Sequence, residues 1–533
     1  MITFTHPLPY WDQWNFILDY VVRQESGDSW LRFFFAQHNE HRIAVPRLFF
    51  ITDLEQFGGR NSSLVIANVT IQLLSWVGLC CLIWPRIQST LNRITAMALA
   101  LVVLFSAAQA ENFIWGFQVQ FVGVYAAGIW ACICVMSNRP ALACVLAIVA
   151  TLMMANGLFI WPVLLLLSCI VGKTKKTLLI YGVGFVICLV AYLFSYKSVG
   201  NHTSAIYSLT HPVEFVCYLA AFLGSAGGLE RPGLAIGVGT GGIVLFCAMT
   251  LRAWQQRTIQ PPQFWTLWSV AVFVLISAGI TTVGRMSFGV EQALASRYVT
   301  PSSVFLVSLV FAWLSLAKPQ AANRAGVQTS MGMVIHGVLA ALLLTVIVLV
   351  SMNHMRNKSE LAGKHQRLDM ASDAIATGVQ DLRVYGMTYN DAMVVNRGAD
   401  WLKSAKLSIF SQRPWSLLGA KVGVDIPIAP EGRCSGQIDT AKPFAGEARS
   451  RSATQVTGWA WDVQARRRPA HVLLVDAANR VTGFASEMLP RHDVVLALRM
   501  PRAVTSGWSG YDSQAVPVAA YGLVDDGELA CKL

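Results

Sequence analysis

Residues 62–93 have the sequence SSLVIANVTIQLLSWVGLCCLIWPRIQSTLNR, an apolar run followed by a short gap that contains Arg86 and Arg93 and no acid. A helix needs about 20 apolar residues to cross the hydrocarbon core of a bilayer. The stretch therefore predicts a membrane span that ends in a basic loop.

The same arrangement repeats as far as Asn353. Every second gap between apolar runs contains Lys or Arg without an acid, while the other gaps contain acids, histidines and aromatic residues. The basic residues are Arg86, Arg93, Arg139, Lys173, Lys175, Lys176, Arg252, Arg257, Lys318 and Arg324. Short loops with positive charge on one side are typical of multi-pass proteins, and the positive side is cytoplasmic. The pattern predicts a bacterial inner-membrane protein whose chemistry-bearing residues and C-terminal domain are periplasmic.

The composition agrees with a membrane protein. The chain is 54% hydrophobic and 13% charged, whereas soluble proteins average about 25% charged residues. The net charge of +12 lies largely in the short loops between spans. Membrane topology therefore explains it better than a nucleic-acid partner does, and no nucleic acid is expected to bind.

Ten spans are predicted, and two regions of the sequence are ambiguous. The 141–172 region has only Asn156 and Gly157 between its halves, so it is either a tight helical hairpin or a broken helix. Residues 213–228 are apolar but short, and a crossing there would place the basic 252–257 loop outside. We therefore expect a re-entrant or interfacial helix. The spans are 62–84, 94–110, 119–136, 141–155, 157–172, 177–196, 233–251, 264–283, 302–317 and 333–351.

The predicted fold class is mainly α: a polytopic transmembrane helical bundle of about 10–12 spans, then a periplasmic helical segment and a small β-sandwich. The domains are 1–61, a periplasmic N-terminal segment; 62–351, the transmembrane domain; 352–430, a helical linker; and 431–533, the β-sandwich. Residues 1–61 contain no span and no signal peptide. Either this segment is translocated unaided or a first membrane helix is missing from this version of the chain, and we favour the second explanation.

The cysteines and tryptophans of the tail have two interpretations each. Nine cysteines lie in or beside apolar runs, while Cys434 and Cys531 frame the soluble tail. Such a pair predicts a disulfide in an oxidising compartment, with two free thiols as the alternative. The tryptophans of GWAWD (458–462) and SGWSGY (506–511) either stack on sugar rings or fill the β-sandwich core, and we favour the core.

Four clusters on the expected periplasmic side contain acids, amides, histidines, arginines and aromatic rings. They are PYWDQW (9–14), QHNEHR (37–42), QAENFIWGFQ (109–118) and the segment from Gly284 to Tyr298. The residues predicted to line one cleft are Trp11, Asp12, Trp14, His38, Glu40, His41, Glu111, Asn112, Gln118, Arg285, Glu291, Arg297 and Tyr298.

These residue types suit one kind of chemistry. Arginines bind phosphate or diphosphate through charge-assisted hydrogen bonds, and a carboxylate can take a proton from an attacking hydroxyl. For Arg285 and Arg297 the alternative is snorkelling to lipid headgroups, and for Glu111 it is pairing with one of these arginines. His38 and His41 beside Glu40 form a weak pattern for a divalent metal, so no cofactor is expected.

The layout resembles the GT-C superfamily of integral-membrane glycosyltransferases. The shared features are about a dozen spans, acids on the first outer loop, a re-entrant element and a periplasmic C-terminal domain, and the segments ENFIWGFQ and FGVEQALASRY fit this general type. The resemblance covers residues 10–351 loosely and excludes the β-sandwich. It implies a polyprenyl-phosphate-linked sugar as donor and a first-loop acid as catalytic residue, a position that Asp12 matches, with Glu40 second. It further implies that Arg285 and Arg297 hold the donor phosphate.

Several functions compete. The leading hypothesis is inverting transfer of a sugar from a lipid-phosphate donor to a cell-envelope glycan or lipid. A polymerase or ligase of lipid-linked glycans needs similar arginines, but usually places them on a large loop between spans. A transporter places polar residues near the bilayer midplane and often has inverted repeats, whereas here the middles of the spans are nearly uncharged. A membrane anchor that presents a glycan-binding β-domain is the non-catalytic alternative.

Overall fold

The computed structural model describes residues 5–197, 205–228, 231–255, 260–316, 358–444, 447–448, 453–514 and 517–533, with residues 337 and 344. The fold is mostly helical, with an antiparallel sheet near the C-terminus. The chain divides into two compact units. The helical unit comprises Trp30–Phe50 and Leu64–Ser359, and the sheet unit comprises Ile2–Ser29, Ile51–Ser63 and Glu360–Leu533.

The helical unit contains most of the apolar helices. Seven helical segments of the described residues are long and apolar enough to cross a membrane, which indicates a multi-pass membrane protein. The helices are α2 (Trp30–Phe35), α3 (Ala44–Gln56, which continues into the sheet unit), α4 (Ser62–Ile83), α5 (Thr90–Leu104), α6 (Ala110–Ile114), α7 (Val119–Met136), α8 (Pro140–Met153), α9 (Ile160–Ile170), α10 (Lys175–Leu193), α11 (Ala205–Thr210), α12 (Pro212–Gly224), α13 (Pro232–Gln255), α14 (Pro262–Arg285) and α15 (Val299–Ser315).

Nine of the ten predicted spans coincide with helices of this unit. The ambiguous 141–172 region forms two shorter helices, α8 and α9, joined by a 3-10 turn at Ala155–Phe159. The turn is possible because Gly157 has no side chain: a Cβ there would lie 1.8 Å from the Ala150 carbonyl oxygen. The tenth predicted span, 333–351, lies outside the described residues.

The basic loops share one end of the helical bundle. Arg86, in the turn between α4 and α5, donates from Nη2 to the Ser315 carbonyl at the end of α15 (3.0 Å). Lys173, before α10, donates to Asn138 in the turn between α7 and α8. Helix polarity places the α5–α7 connection, the α14–α15 connection and the end of α10 at the opposite end. The basic loops and the connections rich in acids and aromatic residues, which alternate along the sequence, therefore lie at opposite ends of the bundle.

Helix α12 is short and packs closely on α13. Its 13 residues extend about 20 Å at 1.5 Å per residue, less than the roughly 30 Å of a hydrocarbon core. A Cβ on Gly239 would lie 1.8 Å from the Ala220 carbonyl oxygen, and one on Gly224 would lie 2.0 Å from that of Ala235. Glycine at both positions lets the two backbones touch, which fixes α12 and its Tyr218 beside the α14–α15 connection.

The sheet unit contains one seven-stranded antiparallel sheet in the order β2-β4-β7-β6-β5-β8-β9. It is a half-barrel rather than the two stacked layers of the predicted sandwich. Strands β1 and β3 form a separate pair. The strands are β1 (Val379–Gln380), β2 (Cys434–Pro443), β3 (Glu447–Ala448), β4 (Thr454–Asp462), β5 (Val472–Val475), β6 (Val481–Leu489), β7 (Gly507–Asp512), β8 (Ala519–Val524) and β9 (Leu529–Lys532).

A disulfide joins the two edge strands of this sheet. The predicted bond between Cys434 and Cys531 is present, with Cα atoms 5.8 Å apart. Because β2 and β9 are the outermost strands, the bond holds the two edges of the curved sheet together. Trp461 and Trp508 are buried, which confirms the core interpretation for both.

Helices from both ends of the chain complete the sheet unit. They are α1 (Asp12–Ser26), α16 (358–377), α17 (Leu382–Tyr385), α18 (Ala392–Ala405) and α19 (His492–Leu498). Helix α1 packs on α18, where Trp14 lies against Gly398. Parts of the N-terminal segment 1–61 contribute to each of the two units. Residues 2–29 and 51–63 belong to the sheet unit, and 30–50 belong to the helical unit.

Candidate functional site

Two connections of the helical unit fasten to each other at the end opposite the basic loops. The Ser296 hydroxyl donates to the Ala108 carbonyl (2.9 Å) and accepts from the Glu111 backbone N–H (3.2 Å). Asn112 Nδ2 donates to Thr300 Oγ1 (2.8 Å), and Thr300 Oγ1 donates to Gln109 (2.6 Å). This buried network fixes the position of the Glu111 backbone relative to the α14–α15 connection.

The α14–α15 connection presents the two arginines. Arg285 is the last residue of α14, and Arg297 lies in a 3-10 turn at Ser296–Tyr298. The Arg297 guanidinium lies 5.1 Å from the centre of the Tyr298 ring. A cation over an aromatic face in this way is stabilised by the ring quadrupole.

Helix α12 supplies a tyrosine that forms a hydrogen bond to the α14–α15 connection. Tyr218 donates its hydroxyl to Gln292, and it lies within electrostatic range of both Arg285 and Arg297. Phe222, one turn further along α12, packs against Tyr298 with ring centres 4.8 Å apart. Both arginines therefore lie near the same tyrosine, although 12 positions separate them in the sequence.

Glu40 joins a third segment to the site. Its Oε1 lies 3.4 Å from Arg285 Nη2 and 3.5 Å from His41 Nε2. The Tyr192 hydroxyl, at the end of α10, donates to the Glu40 backbone carbonyl (2.7 Å). The Glu40 and Arg285 side chains are 21% and 33% exposed, so the pair is partly accessible to solvent.

The loop that contains Glu40 is held rigidly. Arg47 is buried, and its Nη1 donates to the carbonyl oxygens of Phe33 (2.6 Å) and Ala36 (2.7 Å). His38 and His41 exchange two backbone hydrogen bonds of 2.8 Å across the turn. Burial, with the nearby charge of Arg47, lowers the pKa of His38 to about 3, so its imidazole is neutral at physiological pH.

Arg297 lies within electrostatic range of Tyr298 and Glu111. The helical unit thus brings together Glu40, His41, Arg285, Arg297, Tyr298 and Glu111, all of them predicted site residues. Glu291 is exposed on the same connection. Two acids and two arginines at one end of an apolar bundle can neutralise each other, and an anionic ligand can replace an acid as the partner of an arginine.

Besides His38 and Tyr298, three further predicted cleft residues are buried. Asn112 is fully buried and holds the α14–α15 connection through Thr300. Gln118 is also fully buried, at the start of α7. Trp14 is buried against Gly398 in the sheet unit. A side chain that lines a cleft needs an exposed face, so Trp14 belongs to the core of the sheet unit, and Asn112 is a positioning residue.

Asp12 and Trp11 belong to the sheet unit. Asp12 is the first residue of α1, and Trp11, which is 37% exposed, donates its backbone N–H to the Thr388 carbonyl (2.7 Å). The convergence of Asp12 with Glu40 and the arginines stays a prediction, because these residues lie in different units.

Within the part of the chain that the structure describes, His38 and His41 are not part of a group of three or more converging metal-ligand side chains. Among the described residues, the His, Cys, Asp or Glu side chains whose ligand atoms converge in a group of three or more are His6, His365 and Asp369. Their contacts are described below.

Sequence reasoning missed Tyr218, Gln292, Tyr192 and Arg47. A weak signal existed for Tyr218, since it lies in the short apolar stretch 213–228 that was expected not to cross the membrane. Arg47 and Tyr192 act on the backbone of the Glu40 loop from distant positions, which no local pattern reveals.

Comparison with protein-family models and with curated proteins finds no match to this chain.

Proposed function

We propose that this protein is an integral-membrane glycosyltransferase of the bacterial inner membrane. It transfers a sugar from a polyprenyl-phosphate-linked donor to a cell-envelope glycan or lipid on the periplasmic face. The observation that carries the proposal is the cluster of Arg285, Arg297, Glu40 and Glu111 at one end of an apolar helical bundle.

The arginines suit the phosphate of a lipid donor. A guanidinium binds phosphate oxygens through paired, charge-assisted hydrogen bonds. Arg285 and Arg297 lie within electrostatic range of the same tyrosine and at the ends of apolar helices. There, a polyprenyl chain remains in the hydrocarbon while its phosphate reaches the arginines. Charged groups at such a depth are rare unless they are paired or functional.

The transfer needs a base for the acceptor. When the acceptor hydroxyl attacks the anomeric carbon, the bond from that carbon to the phosphate oxygen breaks, and the polyprenyl phosphate leaves with the electron pair. Arg285 and Arg297 stabilise the charge that develops on the leaving phosphate. Glu40, paired with Arg285 in the helical unit, takes the acceptor proton; Asp12, the residue that the resemblance implies, is the alternative base.

The orientation follows from charge and redox chemistry. With the basic end of the bundle in the cytoplasm, the arginine and glutamate cluster lies at the periplasmic end. The disulfide between Cys434 and Cys531 suits an oxidising compartment, which favours a periplasmic sheet unit.

The proposal is tested by a transfer assay on the purified full chain in lipid nanodiscs with polyprenyl-phosphate-linked sugars and an envelope-lipid extract as acceptor. Arg297→Ala is expected to weaken donor use, and Glu40→Gln is expected to abolish transfer while donor binding remains. Matched controls are Arg139→Ala, at the basic end of the bundle, and Glu214→Gln, an exposed acid of α12. Both controls should retain full transfer.

Two results would overturn the proposal. One is transfer that is undiminished in both Glu40→Gln and Asp12→Asn, because a transferase of this type requires a base. The other is equal loss in Arg297→Ala and Arg139→Ala, since that would reflect general damage rather than a phosphate contact.

A further inference from the structure

The sheet unit contains a compact group of imidazole and carboxylate side chains that the proposed transferase does not use. His365 and Asp369 lie on helix α16 with four-residue spacing, so they share one helix face. His6 comes from the N-terminal segment and meets them there. One ligand atom from each of the three side chains lies within 4.8 Å of the other two.

We infer that His6, His365 and Asp369 bind a divalent transition-metal ion of the zinc class. Two imidazole nitrogens and one carboxylate oxygen form a donor set that zinc accepts, with the remaining position open to water. Ligand atoms around tetrahedral zinc lie about 3.4 Å apart at bond lengths of about 2.1 Å. The side chains therefore need to close in by roughly 1 Å.

An unpartnered nitrogen supports this site. His365 Nδ1 is buried and has no hydrogen-bond partner in the described structure. Buried polar atoms almost always have a partner, so an imidazole nitrogen in this state is poised for a ligand. Asp369 is 16% exposed and His6 is 3% exposed. The partly exposed Asp369 carboxylate can thus be reached by an ion from solvent. The buried His6 imidazole would bind the ion from the protein interior.

The hydrogen bonds of His6 define what the ion must displace. The Leu8 backbone N–H donates to His6 Nδ1 (3.0 Å), and His6 Nε2 lies 3.2 Å from Asp369 Oδ1. In the metal-free form Nε2 therefore holds the ring proton and donates to Asp369. Zinc at Nε2 shifts that proton to Nδ1 and breaks the bond from Leu8. One backbone hydrogen bond is exchanged for metal bonds to three side chains.

Other groups around the site tune its charge. Arg468 lies electrostatically close to Asp369, so its positive charge opposes a cation and the Asp369 carboxylate offsets it. His471 is electrostatically coupled to Asp369. An occupied site would tie the N-terminal segment to α16, so the ion acts as a structural clamp within the sheet unit.

The inference is independent of the proposed transferase, and zinc content tests it. The untagged full chain is stripped with EDTA, incubated with zinc chloride, gel-filtered and analysed by mass spectrometry for metal. The wild type should retain about one zinc per chain, and its unfolding temperature should rise. His365→Ala and the isosteric Asp369→Asn should raise the zinc dissociation constant roughly 100-fold or more.

The control variant is His492→Ala, which alters an exposed histidine of the same unit and should bind zinc like the wild type. Hydrogen exchange gives a second readout, because the Leu8 amide should exchange faster with zinc bound. Failure of the wild type to retain zinc would overturn the inference, and so would equal zinc binding by Asp369→Asn and the wild type.

Discussion

The two units treat the same kinds of side chain in opposite ways. In the helical unit the acids Glu40 and Glu111 face arginines at one partly exposed end. In the sheet unit Asp373 is fully enclosed, and it accepts hydrogen bonds from Trp415 Nε1 (2.9 Å) and Ser486 Oγ (2.5 Å). Burial raises the pKa of Asp373 to about 8, so this carboxyl is neutral at pH 7. An acid paired with arginine can exchange partners with a ligand, whereas a neutral acid bound to uncharged donors is part of the scaffold.

The cysteines differ in the same way. The helical unit contains nine free cysteines among its apolar helices, where they act as small hydrophobic residues. The sheet unit joins its two cysteines across the edges of a curved sheet. The helical unit thus has its acid–arginine pair at one end, whereas the sheet unit encloses an acid and joins its cysteines.

The largest expected effect on stability comes from the disulfide. Replacing both Cys434 and Cys531 with Ser should destabilise the sheet unit by about 4–5 kcal/mol, because the bond closes a loop of roughly a hundred residues in the unfolded chain. The unfolding transition of the sheet unit, followed by tryptophan fluorescence in the presence and absence of reductant, measures this. Reductant should lower the unfolding midpoint of the wild type and leave that of the double variant unchanged. An equal response of both proteins would contradict the presence of the disulfide.

Glu40→Gln is expected to lower the transfer rate roughly 10²–10⁴-fold, the usual contribution of a general base. The unfolding midpoint should stay nearly constant, because Glu40 is partly exposed and its ion pair with Arg285 adds little stability. Steady-state transfer and thermal unfolding on one preparation separate the two quantities. A large drop in stability with normal transfer would place Glu40 with Asp373 among scaffold acids.

Asp373→Asn should change the pH dependence of stability and leave transfer intact. The folded-state pKa is raised to about 8 from about 3.9 in the unfolded chain, so the native state binds the extra proton. Stability from this group is fully present below pH 4 and is lost as the pH rises towards 8. Buried His6 and His471, whose pKa values burial lowers, act in the opposite sense.

The difference between wild type and Asp373→Asn isolates the single carboxyl. Unfolding midpoints measured from pH 4 to pH 9 should fall more steeply with pH in the wild type than in the variant. Parallel curves for the two proteins would show that Asp373 titrates normally in the folded state.

The smallest effect is expected for an exposed cysteine of the helical unit. Cys247→Ala should change stability by less than about 0.5 kcal/mol, as surface substitutions usually do, and should not alter transfer. Thermal unfolding and the transfer assay check both. A marked loss of transfer would show that this thiol has a role beyond packing.

Much of the helical unit could be predicted from the sequence. Apolar runs of membrane length and the alternation of basic loops are local signals, and nine predicted spans coincide with helices. The Cys434 and Cys531 pair was also predictable, because only these two cysteines lie outside apolar runs. The single curved sheet was not, since alternating strands have the same pattern in a sandwich and in a half-barrel.

The site was predictable as residue types but not as contacts. Glu40 and Arg285 were both singled out, yet their pairing spans 245 positions, and His6 meets Asp369 across 363 positions. Burial separates groups that look alike in sequence: Trp11 is exposed while Trp14 is enclosed. Local patterns reveal which side chains could act, and tertiary packing decides which of them face a ligand.

The central claim is that Arg285 and Arg297 bind the phosphate of a lipid-linked sugar donor. The most direct test is a cryo-electron microscopy structure of the full chain in nanodiscs with added polyprenyl phosphate. Phosphate density is expected in contact with both guanidinium groups, beside Tyr218 and Glu40, and this density should be lost in Arg297→Ala. Phosphate density at the basic end of the bundle, or a site between these arginines that stays empty at saturating lipid, would contradict the account.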